Sequence, residues 1–129
     1  MEETGVVFAL IRDNKVLMQQ RDGNCARFPF MWCLPGGGSE KGESYEATLL
    51  REVKEEYDID LKPDQCFYLM DYSDGPYPLK VYLCKIAAGQ DPKLQEGLAM
   101  SWMTIGEIEK IKLGFHQEGI IPALRAAVL

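Results

Sequence analysis

The sequence predicts an α/β domain built on a mixed β-sheet with helices packed against it. Two observations carry that prediction. The candidate elements run β, β, β, α, β, β, β, α, with no regular βαβ repeat, which disfavours a doubly wound parallel sheet. The 129 residues, 47% hydrophobic and 26% charged, have the composition of one globular domain spanning 1–129. A chain of this length buries a core without disulfides or structural zinc.

Residues 4–11, TGVVFALI, read as the first strand. Arg12 to Lys15, RDNK, read as a hairpin turn, because Asp and Asn tolerate turn geometry. Residues 16–20, VLMQQ, return beside the first strand, and RDGNCARFPF at 21–30 follows as a loop. MWCL at 31–34 is a short strand halted at Pro35 and Gly36, and Gly36–Gly38 is a glycine run leading to a helix. Over 44–57, Leu49, Val53 and Tyr57 recur at i, i+4 and i+8 with Leu50 beside them, which is a helical apolar stripe. Ser44 is its N-cap candidate, with Ala47 where a capping-box partner would stand. Asp58 sits where a left-handed residue ends a helix, and Pro63 blocks continuation. QCFYLMDY at 65–72 and LKVYLCKIA at 79–87 read as strands joined by a turn-rich loop over 71–78. LAMSWM at 98–103 is a further strand, with helices expected over 105–111 and 116–128.

The formal charge of −6 disfavours long nucleic acid or an anionic membrane as a partner. Cys25, Cys33, Cys66 and Cys84 form no close CxxC pair, and there is one histidine, so a zinc cluster is not expected. Cys33, Cys66 and Cys84 suit buried apolar positions in strands. No basic segment precedes the first apolar run and no stretch reaches transmembrane length, so a cytoplasmic location is expected.

Glu52, Glu55 and Glu56 are spaced three and four apart and share one helix face. At 100° per residue that face lies about 120° from the apolar stripe. A solvated helix face carries such acids, and a bound hard cation such as Mg2+ needs them. Arg51 can pair with Glu55 one turn on, and Glu43 gains from the positive end of the helix dipole. The run Gly36–Gly37–Gly38 favours the cation, because glycine lets backbone approach a ligand.

From Gly37 the sequence resembles the Nudix box: a glycine, five residues, a glutamate, seven residues, Arg-Glu, a large apolar residue, any residue, Glu-Glu, any residue, a glycine and a large apolar residue. Gly37, Glu43, Arg51, Glu52, Val53, Glu55, Glu56 and Ile59 match, and Asp58 replaces the usual glycine. Trp32–Leu34–Pro35–Gly36–Gly37 and Trp102–Met103 resemble the flanking strands of that family. The resemblance implies a Nudix-like α/β/α sandwich around the mixed sheet. It implies hydrolysis of the diphosphate linkage in nucleoside diphosphate derivatives with Mg2+, for which Mn2+ can substitute. Metal ligands carry over to Glu52, Glu55, Glu56 and the Gly36 carbonyl, and organising roles to Arg51 and Glu43. The catalytic base is either a box glutamate or Glu96, in KLQEG ahead of the Trp102 strand.

Substrate contacts outside the box are expected from Arg21 and Arg27 as phosphate donors and from Phe28, Phe30, Tyr72 and Tyr77 as stacking surfaces. Asn24, Asp71 and Asp74 are candidates for reading a base. Phe115 and Ile120 are expected in the core, Tyr68, Tyr82 and Trp102 in the core or the pocket floor, and His116 at the surface. Pro76 and Tyr77 fall near the position of a marker residue in ADP-ribose and dinucleoside-polyphosphate branches. The small size favours a nucleoside triphosphate, canonical or oxidised, giving nucleoside monophosphate and pyrophosphate. ADP-ribose or dinucleoside polyphosphate is the alternative substrate, and a nucleotide-binding regulatory domain without turnover is the alternative class. A monomer or homodimer is expected.

Overall fold

The structure, a computed structural model, describes residues 4–128; Met1–Glu3, at the start of the segment read for a signal, lie outside the described residues. Strands β1 (Gly5–Arg12), β2 (Lys15–Gln20), β3 (Trp32–Cys33), β4 (Gly36–Gly38), β5 (Cys66–Asp74), β6 (Tyr77–Lys85) and β7 (Ala99–Met103) form one sheet. Helices α1 (Tyr45–Tyr57), α2 (Ile105–Ile108) and α3 (Ile121–Val128) cover it. Its main path is β3-β2-β1-β6-β5, with β4 added to β1 and β7 to β2. The β1–β6 pair is parallel and the others antiparallel, so the sheet is mixed.

β1 lies at the centre and is apolar on both sides for that reason. Val7, Ala9 and Ile11 join a core with α2 and α3, and Val6, Phe8 and Leu10 join a second core with α1. The period of two along β1 therefore feeds both layers of the sandwich. Asp13 and Asn14 take φ of 52° and 60°, as a two-residue hairpin turn with matching twist requires. That hairpin pairs only Ile11 with Val16 and Arg12 with Lys15. Past it the strands part: β1 continues against β4, and β2 against β3 and β7. The wedge between them positions the site.

Helix α1 starts and stops where the sequence places its caps. The Ser44 hydroxyl accepts the Ala47 N–H at 3.1 Å, and Asp58 is left-handed at φ 56°. Its N–H reaches the Lys54 carbonyl at 3.0 Å, and its carboxylate pairs with Lys54 at 3.0 Å. A short acid thus completes a helix end at which the family usually has glycine.

Three expectations change. The glycine run is a strand, because the absence of side chains lets it lie flush against β1: a Cβ on Gly36 would stand 2.2 Å from the Val6 carbonyl oxygen. The 71–78 loop is a tight hairpin, with Asp74 opposite Tyr77 and Gly75 at φ 61° turning the chain. The last helix starts at Ile121, since Phe115 and His116 have left-handed φ of 57° and 56°, which a continuous α-helix excludes. Pro122, in the first turn of α3, removes an N–H that the helix does not need. No helix among the described residues is long and apolar enough to cross a membrane.

Candidate active site

The apolar stripe of α1 enters the core through Leu49, Val53 and Tyr57, and this turns the acidic face toward β4 and the wedge. Arg51 organises that face. Its Nε and Nη2 hold the two oxygens of Glu43 at 2.8 Å each, and Nη1 reaches Glu52 at 3.0 Å and Glu55 at 3.2 Å. Nη2 also donates to the Gly38 carbonyl at 2.9 Å, which ties the helix to β4. The paired Arg51 guanidinium and the Glu40 N–H hold the Glu43 carboxyl down at about 2. Glu43 also accepts from Thr48 Oγ1 at 2.8 Å, so the loop before the helix is fastened to its first turns.

The three acids differ in environment. Glu55 is half exposed, while Glu52 is mostly covered. A Cβ on Gly37 would lie 2.2 Å from the Glu52 carboxyl carbon, so this carboxylate rests directly on bare backbone. Glu56 is buried, and its Oε2 has no hydrogen-bond partner. Burial, followed by the charges of Glu52, Glu96 and Glu55, pushes its carboxyl up to about 8. Burial also raises the Glu52 carboxyl, against the lowering influence of Arg51.

Glu96 is carried to this cluster by a loop docked on the end of α1. Lys93 N–H donates to the Tyr57 carbonyl at 2.9 Å and Gln95 N–H to the Glu56 carbonyl at 3.0 Å. Gln19 braces the same loop from β2. Its Nε2 donates to the Glu96 carbonyl at 3.3 Å while its Oε1 accepts the buried Tyr57 hydroxyl at 2.9 Å.

A cavity of about 250 Å³ opens in the wedge, lined by Glu56, Gly36 and Gly37 and by Arg21, Tyr72 and Phe115. Gln19, Cys33, Leu34 and Gln117 line it as well. The Arg21 guanidinium stands 4.7 Å from the Phe115 ring centre and that of Arg27 5.2 Å. Phe28 packs on Phe115 at 4.9 Å, and the Tyr72 hydroxyl donates to the Phe115 carbonyl. Phe28, Phe115 and His116 all have positive φ, so this rim holds backbone conformations that non-glycine residues seldom adopt.

Sequence reasoning missed part of this wall. Phe115, expected in the core, lines the cavity, and buried Gln19 and Gln117 line it as well. Gln19 stands beside Gln20 and Arg21, and Gln117 between His116 and Glu118, so no local signal set them apart. Gln117 is fully engaged with the backbone of Leu34, accepting its N–H at 2.7 Å and donating to its carbonyl at 3.2 Å. Ile120, Tyr82 and Trp102 pack as expected. Tyr77 stands exposed at the far end of the hairpin and is not in the cavity wall. Phe30 is exposed over Gly23, and Tyr68 is exposed on the α1 side of the sheet, edge-on to Tyr82. Neither Asn24 nor Asp71 lines the cavity, because Asp71 is paired with Lys80 at 2.9 Å and Asn24 is solvent-facing. The side chain of Asp74 lies outside the described residues.

Among the described residues, no three His, Cys, Asp or Glu side chains already converge as a metal-holding group, since Arg51 ties Glu52 and Glu55 to itself. The chemistry of the donors nevertheless fits a hard cation. Glu56 Oε2 is a buried oxygen lacking a partner, and the Glu52 carboxylate lies beside it on a cradle only glycine permits.

Residues 2–124 match the NUDIX domain. The chain belongs to the Nudix hydrolase family. It is 30% identical over 119 residues to the putative nudix hydrolase 1 of Caenorhabditis elegans, covering 90% of this chain and 32% of that protein. It is 26% identical to the nucleoside triphosphatase NudI of Enterobacter sp., covering 94% and 100%. It is 29% identical over 89 residues to the putative ADP-ribose pyrophosphatase YjhB of Bacillus subtilis, covering 64% and 40%. The chain spans 32% to 62% of the length of the first curated relatives it matches. Among solved structures, it superposes on the MutT NUDIX hydrolase of Burkholderia pseudomallei with TM-score 0.76 and 25% identity, covering 97% of both chains. The Nudix α/β/α sandwich expected from the box is the fold observed.

Proposed function

We propose that this Nudix domain is a divalent-cation-dependent pyrophosphohydrolase that converts nucleoside triphosphates to nucleoside monophosphate and pyrophosphate. The carrying observation is the buried, partnerless oxygen of Glu56 in the wall of a cavity that also presents two glycines and the Arg21–Phe115 pair. That combination suits a ligand that carries both phosphates and a flat base. NudI, named a nucleoside triphosphatase and similar over its whole length, supports the same substrate class.

Glu52, Glu55, Glu56 and the Gly36 carbonyl would hold Mg2+ or Mn2+, which neutralises diphosphate charge and acidifies a bound water. Arg51 keeps Glu52 and Glu55 in place, and Glu43 keeps Arg51 in place. The Glu96 carboxylate, held by the docked loop, takes the proton of the attacking water. Oxygen bonds to phosphorus, the anhydride bond between the α and β phosphates breaks, and nucleoside monophosphate and pyrophosphate separate. Arg21 and Arg27, which stand over the Phe115 ring, would meet phosphate where it adjoins the base that Phe115 and Phe28 receive.

The test compares kcat/KM for canonical and oxidised triphosphates, ADP-ribose and a dinucleoside polyphosphate, with and without Mg2+. We expect metal-dependent turnover with triphosphates preferred. A preference for ADP-ribose above about tenfold, roughly 1.4 kcal/mol, moves the assignment to that substrate. Tight nucleotide binding without turnover under any divalent ion makes the domain a regulatory binder. Glu96→Gln should lower kcat by about 10²–10⁴-fold with metal affinity unchanged; a small effect returns the base to a box glutamate.

A further inference from the structure

We propose that Cys66 and Cys84 form an oxidation site, at which a peroxide or a small-molecule disulfide converts a cross-strand dithiol into a disulfide joining β5 to β6. The site is independent of the catalytic reading and lies outside the active-site cavity. Cys66 opens β5, and Cys84 is its direct partner in β6. Opposed residues of an antiparallel pair have Cα atoms about 4.5–5.5 Å apart, within the span that a disulfide bridges. The two sulfurs are 4.0 Å apart, and the Cys84 thiol points at the Cys66 sulfur. Side-chain rotation closes the remaining gap without moving either strand.

Access is one-sided. Cys84 is fully buried, whereas Cys66 is partly exposed and lines a second cavity of about 200 Å³ with Glu46, Leu50, Pro63 and Tyr68. An oxidant therefore meets Cys66 first, and Cys84 resolves the product from within. With a peroxide, the Cys66 thiolate attacks one oxygen, the O–O bond breaks, and a sulfenic acid forms as hydroxide or alkoxide leaves. The Cys84 sulfur then attacks the Cys66 sulfur, and its proton leaves with the displaced hydroxide as water. Two electrons pass from the thiols to the peroxide. With a disulfide oxidant, Cys66 forms the mixed disulfide and Cys84 displaces the second thiol.

The bond would close the whole β5–β6 hairpin as a loop. β5 is the edge strand of the main sheet path and carries an irregularity between Tyr68 and Met70, so it is the strand that such a tie constrains most. The reduced full-length chain is treated with hydrogen peroxide, and separately with oxidised glutathione, and free thiols are counted after denaturation. We expect two of the four thiols to disappear, peptides containing Cys66 and Cys84 to be linked, and reductant to reverse the change. The oxidised protein should melt about 10 °C higher. Cys66→Ser should abolish the link and the Tm rise, and Cys25→Ser should preserve both. Four thiols remaining titratable, a persistent mixed disulfide on Cys66, or a link through Cys25 or Cys33 would each overturn the proposal.

Discussion

The acidic part of the site, Glu43, Arg51, Glu52, Glu55 and Glu56, comes from a single helix and the turn before it, and Glu56 is its member in the cavity wall. Elsewhere in the wall, Arg21, Tyr72 and Phe115 come from three separate segments. The acidic part is rigid by ion pairing: one guanidinium touches three carboxylates and a strand carbonyl. Strained backbone and ring contacts organise the aromatic part instead, with Phe28, Phe115 and His116 held at positive φ. The contrast separates chemistry from recognition. Fixed charges in one part suit a diphosphate common to many substrates, and a loop-built wall in the other can differ between relatives without disturbing them.

The largest effect should come from Glu56→Gln. It removes the buried charge with little change in volume, and hydrolysis should fall by about 10³-fold or more, read as kcat. The same variant tests the electrostatics without metal. Because the folded Glu56 carboxyl is raised to about 8, the native state binds a proton that the unfolded chain has already released. Stability is therefore full below the ordinary carboxylate range and is lost as pH rises through about 8. In metal-free buffer the wild-type Tm should fall across that window, and Glu56→Gln should flatten the fall. Glu43 acts in the opposite direction: its folded value near 2 gives stability present above the ordinary carboxylate range and lost as pH falls toward 2. Identical pH–Tm curves for wild type and Glu56→Gln would remove the buried charge from the account.

Gly37→Ala should come next. The new Cβ would occupy the place of the Glu52 carboxylate, which lies at the end of a flexible side chain and can swing aside. We expect kcat to drop by about 10–100-fold with a change in Tm of only a few degrees. Full activity in this variant would mean that Glu52 acts from another position.

Phe115→Ala acts on the aromatic part. Loss of a stacking face worth about 1–3 kcal/mol should raise KM by roughly 5–150-fold while kcat changes little. A fall in kcat with KM unchanged would mean that the aromatic part also shapes the reacting part. Tyr77→Ala, at the exposed hairpin tip, should leave kcat and KM within about twofold of wild type.

The helix, its caps and its acidic face were legible in the sequence because each depends on neighbours within one or two turns. Leu49, Val53 and Tyr57 set the buried face, Ser44 and Asp58 set the ends, and the spacing of Glu52, Glu55 and Glu56 then follows from helix geometry. The two-residue turn at Asp13–Asn14 was legible for the same reason. Tertiary structure alone decided which acid is buried. Glu52, Glu55 and Glu56 are alike as residues, and only packing against β4 and the docked 93–98 loop makes Glu56 the partnerless one. It also turned the glycine run into a strand, since β4 exists only where β1 leaves β2. Phe115 moved from expected core to cavity wall because its left-handed backbone aims the ring at Arg21 and Arg27, which lie far from it in the chain. Local rules reach as far as a few residues of chain. The depth of a charge and the membership of a cavity wall depend on segments that meet only when the sheet closes.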